Sequence, residues 1–161
     1  MYVMFLVLGF GLASAVVLPR CVSWYHAALV RYEADCLVSN LRLLQQMSRT
    51  TGLYPLEDVS DDAVMMEKPE LEFNDKFHEY HISRLTKNAD GVRQRQQLVL
   101  HRYPPEITIS AWTKGKLYFG RNGGTLTNTT IEVYYEGERQ RRKDVIVDIV
   151  GRIRVEEGHE K

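Results

Sequence analysis

Charge is missing from the first nineteen residues of this 161-residue chain: no Asp, Glu, Lys, Arg or His occurs in MYVMFLVLGFGLASAVVLP, and Arg20 is the first charged residue. A helical run of that length reaches about 28 Å, close to the thickness of a bilayer's hydrocarbon core. Asp, Lys or Arg at its centre would each cost about 2.5–3.5 kcal/mol, so the absence predicts a segment held in a membrane. Cysteine is scarce too, with only Cys21 and Cys36. On one continuous helix their Cα atoms would stand about 22 Å apart, far beyond the roughly 7 Å that a disulfide allows. Net charge is absent as well: Lys plus Arg and Asp plus Glu number 21 each, which excludes a general polyanion binder.

Catalytic patterns are also lacking. The five histidines (His26, His78, His81, His101 and His159) are scattered. No His-Glu-x-x-His, no phosphate-cradling loop ending in Lys-Ser/Thr and no Gly-x-Ser-x-Gly elbow occurs. His78 and His81 lie three apart, which on a strand sends them to opposite faces. The expectation is a protein that is not an enzyme, with no catalytic residues, no metal site and no cofactor.

What is present begins after Pro19, where the pattern turns amphipathic. Tyr25, Leu29, Tyr32 and Cys36 recur at steps of three and four, and Leu37, Leu41, Leu44 and Met47 continue the stripe. Arg31, Glu33, Asp35, Arg42 and Arg49 take other faces. This spacing predicts a helix over 20–52 with one core face. Pro19 would kink the combined helix rather than end it, Trp24 and Tyr25 fall where an interfacial aromatic belt is expected, and Gly52 and Pro55 provide the stop. Residues 53–70 are acidic and proline-bearing and read as a surface connection.

Residues 71–161 read as a β-rich head. Asn88-Ala89-Asp90-Gly91 and Arg121-Asn122-Gly123-Gly124 are turn signals, with Gly120–Gly124 read as a hairpin turn. Period-two alternation pairs Leu98 with Leu100, Ile107 with Ile109 and Ala111, and Leu117 with Phe119. It resumes at Ile131, Val133 and Tyr135, at Val145, Val147 and Ile149, and at Ile153 with Val155. The expected fold class is α+β, a long N-terminal helix (transmembrane at 1–19, then amphipathic) covering part of a mostly antiparallel sheet. Asn128-Thr129-Thr130 fits a glycosylation sequon. Residues 1–70 hold five Lys/Arg against eight Asp/Glu, and residues 71–161 sixteen against thirteen, so the head is slightly basic. Its densest cluster is Arg139, Arg141, Arg142 and Lys143. In the last strand, alternation sets Ile153 and Val155 inward and Arg152 and Arg154 together outward. Two guanidiniums on one face could grip phosphates; the same pattern also describes an edge strand protected by charge.

Ala13-Ser14-Ala15 resembles the cleavage site of a secretory signal, but the basic segment that normally precedes one is missing. A retained anchor is therefore the main expectation. A secreted or membrane-anchored β-domain that binds a protein or a carbohydrate is the alternative.

In combination these features resemble the type IV pilin superfamily, and within it the GspH/FimT-type minor pseudopilins. Three stretches carry the resemblance: the apolar run with Gly11 ending in Val17-Leu18-Pro19; the helix end Leu37-Val-Ser-Asn-Leu-Arg-Leu-Leu-Gln-Gln-Met-Ser-Arg49; and Phe119-x-x-x-Gly123-Gly124 together with Gly151-Arg-Ile-Arg-Val155. The resemblance implies a structural subunit of a type II secretion, type IV pilus or competence machine. Its place would be the cytoplasmic membrane, crossed once, with the head on the extracytoplasmic side. Val3, Phe5, Leu6, Leu8, Phe10, Leu12, Val16 and Leu18 would sit in the membrane and then in the filament core, against the helices of other pilin or pseudopilin subunits. In members serving transformation a Gly-Arg-x-Arg near the C-terminus is linked to DNA. Here that maps onto Gly151, Arg152 and Arg154, making double-stranded DNA a candidate partner, with Arg139, Arg141, Arg142 and Lys143 nearby. Family precursors start with a basic leader, and a glutamate lies a few residues into the mature chain. Aligned on Pro19, Met1 falls just inside that mature start, so either an upstream start or the loss of the processing site is expected.

Overall fold

The computed structural model describes the backbone of residues 2–50, 68–87, 93–111 and 116–158, and the side chains of 15, 17–50, 68–86, 94–111 and 116–158. The acidic stretch 51–67, the turn at 88–91 and the side chains of Val3, Phe5, Leu6, Leu8, Phe10, Leu12 and Val16 lie outside the described residues.

One helix, α1 (Tyr2–Thr50), passes through Pro19 and carries both free cysteines. Eight strands follow: β1 (Glu70–Asn74), β2 (Glu79–Lys87), β3 (Arg93–Arg102), β4 (Ile107–Ala111), β5 (Lys116–Tyr118), β6 (Thr129–Tyr135), β7 (Lys143–Val147) and β8 (Ile153–Glu157). They form two antiparallel four-stranded sheets, in the orders β3-β2-β1-β5 and β4-β6-β7-β8. The single sheet expected from the alternation is thus divided. Alternation reports which face of a strand is buried but not which strands pair, and the chain changes sheet three times, between β3 and β4, between β4 and β5 and between β5 and β6. For the same reason Gly120–Gly124 is a tight turn, closed by Gly120 N–H to Gly124 O at 2.6 Å, yet not a hairpin. It joins strands of different sheets.

Both sheets and the helix share one core. Val30, Ala34, Leu37, Val38, Leu41 and Leu44 from α1 meet Leu71, Tyr80 and Ile82 of the first sheet and Ile107, Ile109, Ile131, Val133, Val145 and Val147 of the second. Burying each such large aliphatic side chain contributes about 1.5–3 kcal/mol. Strands β4, β6 and β7 bury Ile107 and Ile109, Ile131 and Val133, and Val145 and Val147 as expected, whereas Leu100 of β3 is exposed and Ile149 lies beyond β7 and is exposed too.

The helix stripe needs correction in its first half. Tyr25 and Tyr32 are 63% and 60% exposed, while Val30, Glu33 and Ala34 are buried. Turning 100° per residue, α1 carries two apolar arcs. Leu37, Leu41 and Leu44 belong to the arc that packs on the sheets, centred near Val30. Tyr25, Leu29, Tyr32 and Cys36 belong to a second arc, roughly 140° away at its centre, with Leu29 on the flank that still touches the core. The pattern crosses from the second arc to the first between Tyr32 and Leu37. Cys36, adjacent to Leu37, bridges that gap in spacing and lets the two arcs read as one.

Two smaller expectations also change. His78 precedes β2 in a left-handed conformation (φ 49°) rather than lying on a strand with His81. In β8, Ile153 is half-buried and Val155 is exposed, so the inward alternation fades toward the sheet edge.

Candidate assembly face and basic surfaces

The core arc of α1 is tied to the head by polar contacts as well as by packing. His26 stacks on Tyr135 at 3.7 Å between ring centres and meets the Glu138 carboxylate at 3.0 Å through Nδ1. Further along the helix, the buried carboxylate of Glu33 meets Nε2 of His101 on β3 at 2.8 Å. Asn40 Nδ2 donates to the hydroxyl of the fully buried Tyr80 at 2.9 Å. Burial pushes the Tyr80 phenol well above its ordinary range, with the Asn40 hydrogen bond opposing that shift, and pushes Tyr103 up to about 12.

At the end of α1, Gln45 Nε2 donates to the carbonyls of both Gly123 and Gly151, each at 2.7 Å. Gly123 and Gly151 have φ of +82° and +83°, a region that side-chain-bearing residues rarely enter. A Cβ on Gly151 would overlap the Gly123 carbonyl oxygen and stand 2.7 Å from its carbon. The Gly123-Gly124 and Gly151-Arg152 stretches, far apart in sequence, therefore meet against one glutamine.

Among the described residues, nothing in the head packs over the outer part of the opposite arc of α1. Leu18, Val22, Tyr25, Tyr32 and Leu43 are exposed, and Cys21 lies with them. Arg20, Arg31, Asp35, Arg42 and Arg49 occupy the remaining face. Among the described residues no helical stretch is long and apolar enough to cross a membrane; the side chains of the uncharged run 1–19 lie almost wholly outside the described residues.

The basic residues separate into two groups. In the first, Arg139 meets Glu132 at 2.9 Å, Arg142 meets Asp144 at 3.1 Å and Glu132 at 3.7 Å, and Lys143 pairs with Glu157. Arg141 meets Glu138 at 3.8 Å and bonds the Ser23 hydroxyl of α1, and Arg154 pairs with Glu156 at 3.1 Å. In the second group, Arg152 is exposed and forms no ion pair among the described residues, although its backbone N–H donates to Asp148 Oδ1 at 2.8 Å. The structure thus separates Arg152 from the cluster grouped with it on sequence. It also places Gln45, Arg49 and Arg121 at the glycine junction, where sequence reasoning had missed them. The pairing of two glycine-containing turns with a polar residue at the helix end was the signal available. Among the described residues no group of three His, Cys, Asp or Glu could hold a metal ion, and Asn128 of the sequon accepts the Ile149 N–H at 3.0 Å.

No family model matches the chain, and no curated protein sequence does. Among solved structures it is similar to the type IV minor pilin FimU of Pseudomonas aeruginosa, at 17% identity over 78% of this chain and 91% of that one, with a TM-score of 0.55. A second crystal form of FimU gives 16% identity, 78% and 90% coverage and a TM-score of 0.49. The long N-terminal helix packed on antiparallel sheets is therefore the α+β fold of a type IV minor pilin.

Proposed function

We propose that the protein is a minor pilin-like subunit of a type IV pilus or a related pseudopilus, of the GspH/FimT type, serving pilus assembly, type II secretion or competence. Residues 1–19 anchor it in the cytoplasmic membrane, and the head stands on the extracytoplasmic side. The observation that carries this reading is the second apolar arc of α1. A helix already buried on one side has no folding reason to keep Leu18, Tyr25, Tyr32 and Leu43 on another, and exposed apolar surface of this kind marks an interaction site. That arc lies on the same helix as the uncharged run, and it offers a surface to the helices of other subunits. Tyr32→Arg should leave the melting temperature of the protein close to wild type, because Tyr32 is exposed, while abolishing incorporation into filaments. Normal filaments and export in that variant, or in a strain lacking the gene, would overturn the reading.

A second role is supported by Arg152. Its guanidinium is exposed, and the Gly151-Arg152-x-Arg154 stretch resembles the one linked to DNA, so double-stranded DNA is a proposed partner of the head. Retention of duplex DNA at low salt, weakening steeply as salt rises, is the expected behaviour.

A further inference from the structure

Three guanidinium-bearing residues gather at the glycine junction, and none of them forms an ion pair among the described residues. Arg49, at the end of α1, lies against Gly123: a Cβ there would stand 2.8 Å from Arg49 Cζ. Arg121 is exposed in the same turn, two residues before Gly123. Arg152 directly follows Gly151, whose backbone packs on Gly123. The carboxylate in the adjoining turn, Asp148, is engaged through Oδ1 by the Arg152 backbone N–H. Arg139, Arg142 and Lys143 differ in kind. Each already faces Glu132, Asp144 or Glu157, and a phosphate would have to displace those carboxylates first.

The junction is also stiff. Gln45 clamps both glycine carbonyls, and Asn122 Oδ1 accepts the Gly124 N–H at 3.0 Å. A stiff mount keeps the side-chain ordering cost of binding low. Gly120–Gly124, Gly151, Gln45 and the three arginines include no aromatic ring on which unpaired bases could stack. Single strands are usually held by such stacking, whereas contacts to a duplex backbone need only positioned donors.

We infer that Arg49, Arg121 and Arg152 form the surface of the head that contacts the phosphates of duplex DNA, and that the Arg139–Lys143 cluster does not. This rests on the DNA reading above. The test uses the full-length protein in non-ionic detergent, with labelled duplex DNA and retention measured across a salt series. The combined variant Arg49→Gln, Arg121→Gln, Arg152→Gln should lose most retention at every salt concentration, and Arg121→Gln alone should flatten the salt slope by about one unit. Arg139→Gln with Arg141→Gln should retain DNA as the wild type does. Loss confined to that second pair would overturn the inference and leave the DNA reading standing. No retention by the wild type at low salt would overturn both. Displacement of DNA by polyglutamate at equal charge would put an acidic protein partner on this surface instead and also overturn the inference.

Discussion

Replacing Gly151 by alanine tests whether the junction at the end of α1 holds the head together. The left-handed backbone (φ +83°) costs an alanine about 1–2 kcal/mol. The new methyl would also overlap the Gly123 carbonyl oxygen, and relieving that overlap moves Gly123 and Gly151 apart. Gln45 cannot then reach both carbonyls, and its two hydrogen bonds contribute about 0.5–1.5 kcal/mol each. With one of the two lost, the sum is about 1.5–3.5 kcal/mol. At about 2–4 °C per kcal/mol for a chain of this size, the melting temperature should fall by roughly 3–14 °C, read by circular dichroism. Gly137→Ala is the control, because Gly137 has φ +84° but nothing within 4 Å of its Cβ position. That variant should lose only the backbone strain, about 1–2 kcal/mol. Equal melting temperatures for the two variants would refute the argument that the Gly123–Gly151 contact is tight.

Two further outcomes follow from the polar contacts of the core. His101→Ala leaves the Glu33 carboxylate buried without its ring partner and should destabilise the protein by about 3 kcal/mol, measured by urea unfolding; a loss under about 1 kcal/mol would mean that water reaches Glu33. Tyr80 and Tyr103 hold their protons more tightly folded than unfolded, so their contribution is complete below about pH 10 and is lost as pH climbs past it. Stability should fall above about pH 10, and less steeply in Tyr103→Phe, as followed by unfolding at stepped pH.

The β strands were legible because their cores are built from Ile and Val at alternate positions, as in Ile107–Ile109 and Val145–Val147, where burial and spacing agree. Their division into two sheets was not, since strand pairing depends on where the chain crosses over, and Gly120–Gly124 has the same residues whether it closes a hairpin or changes sheets. The helix was legible as a helix, but its two apolar arcs merged at Cys36-Leu37, and an outward tyrosine looks like a core tyrosine when only spacing is read. The basic cluster at Arg139–Lys143 was visible for the density of its charge. Its neutralisation by Glu132, Asp144 and Glu157 was not, because those carboxylates arrive from β6, β7 itself and β8. Buried Glu33 shows the same limit: its acceptable burial depends on His101, 68 residues away in sequence.

The outward arc of α1 is proposed to pack against the helices of other subunits. A photo-activated cross-linker placed at Tyr32 in cells making the intact machine tests it most directly, with one at exposed Gln140 of the head for comparison. Cross-links from Tyr32 to the N-terminal helices of other pilin-like subunits are expected, appearing only when the machine assembles. Capture from position 140 alone, with position 32 silent in an assembled machine, would contradict it.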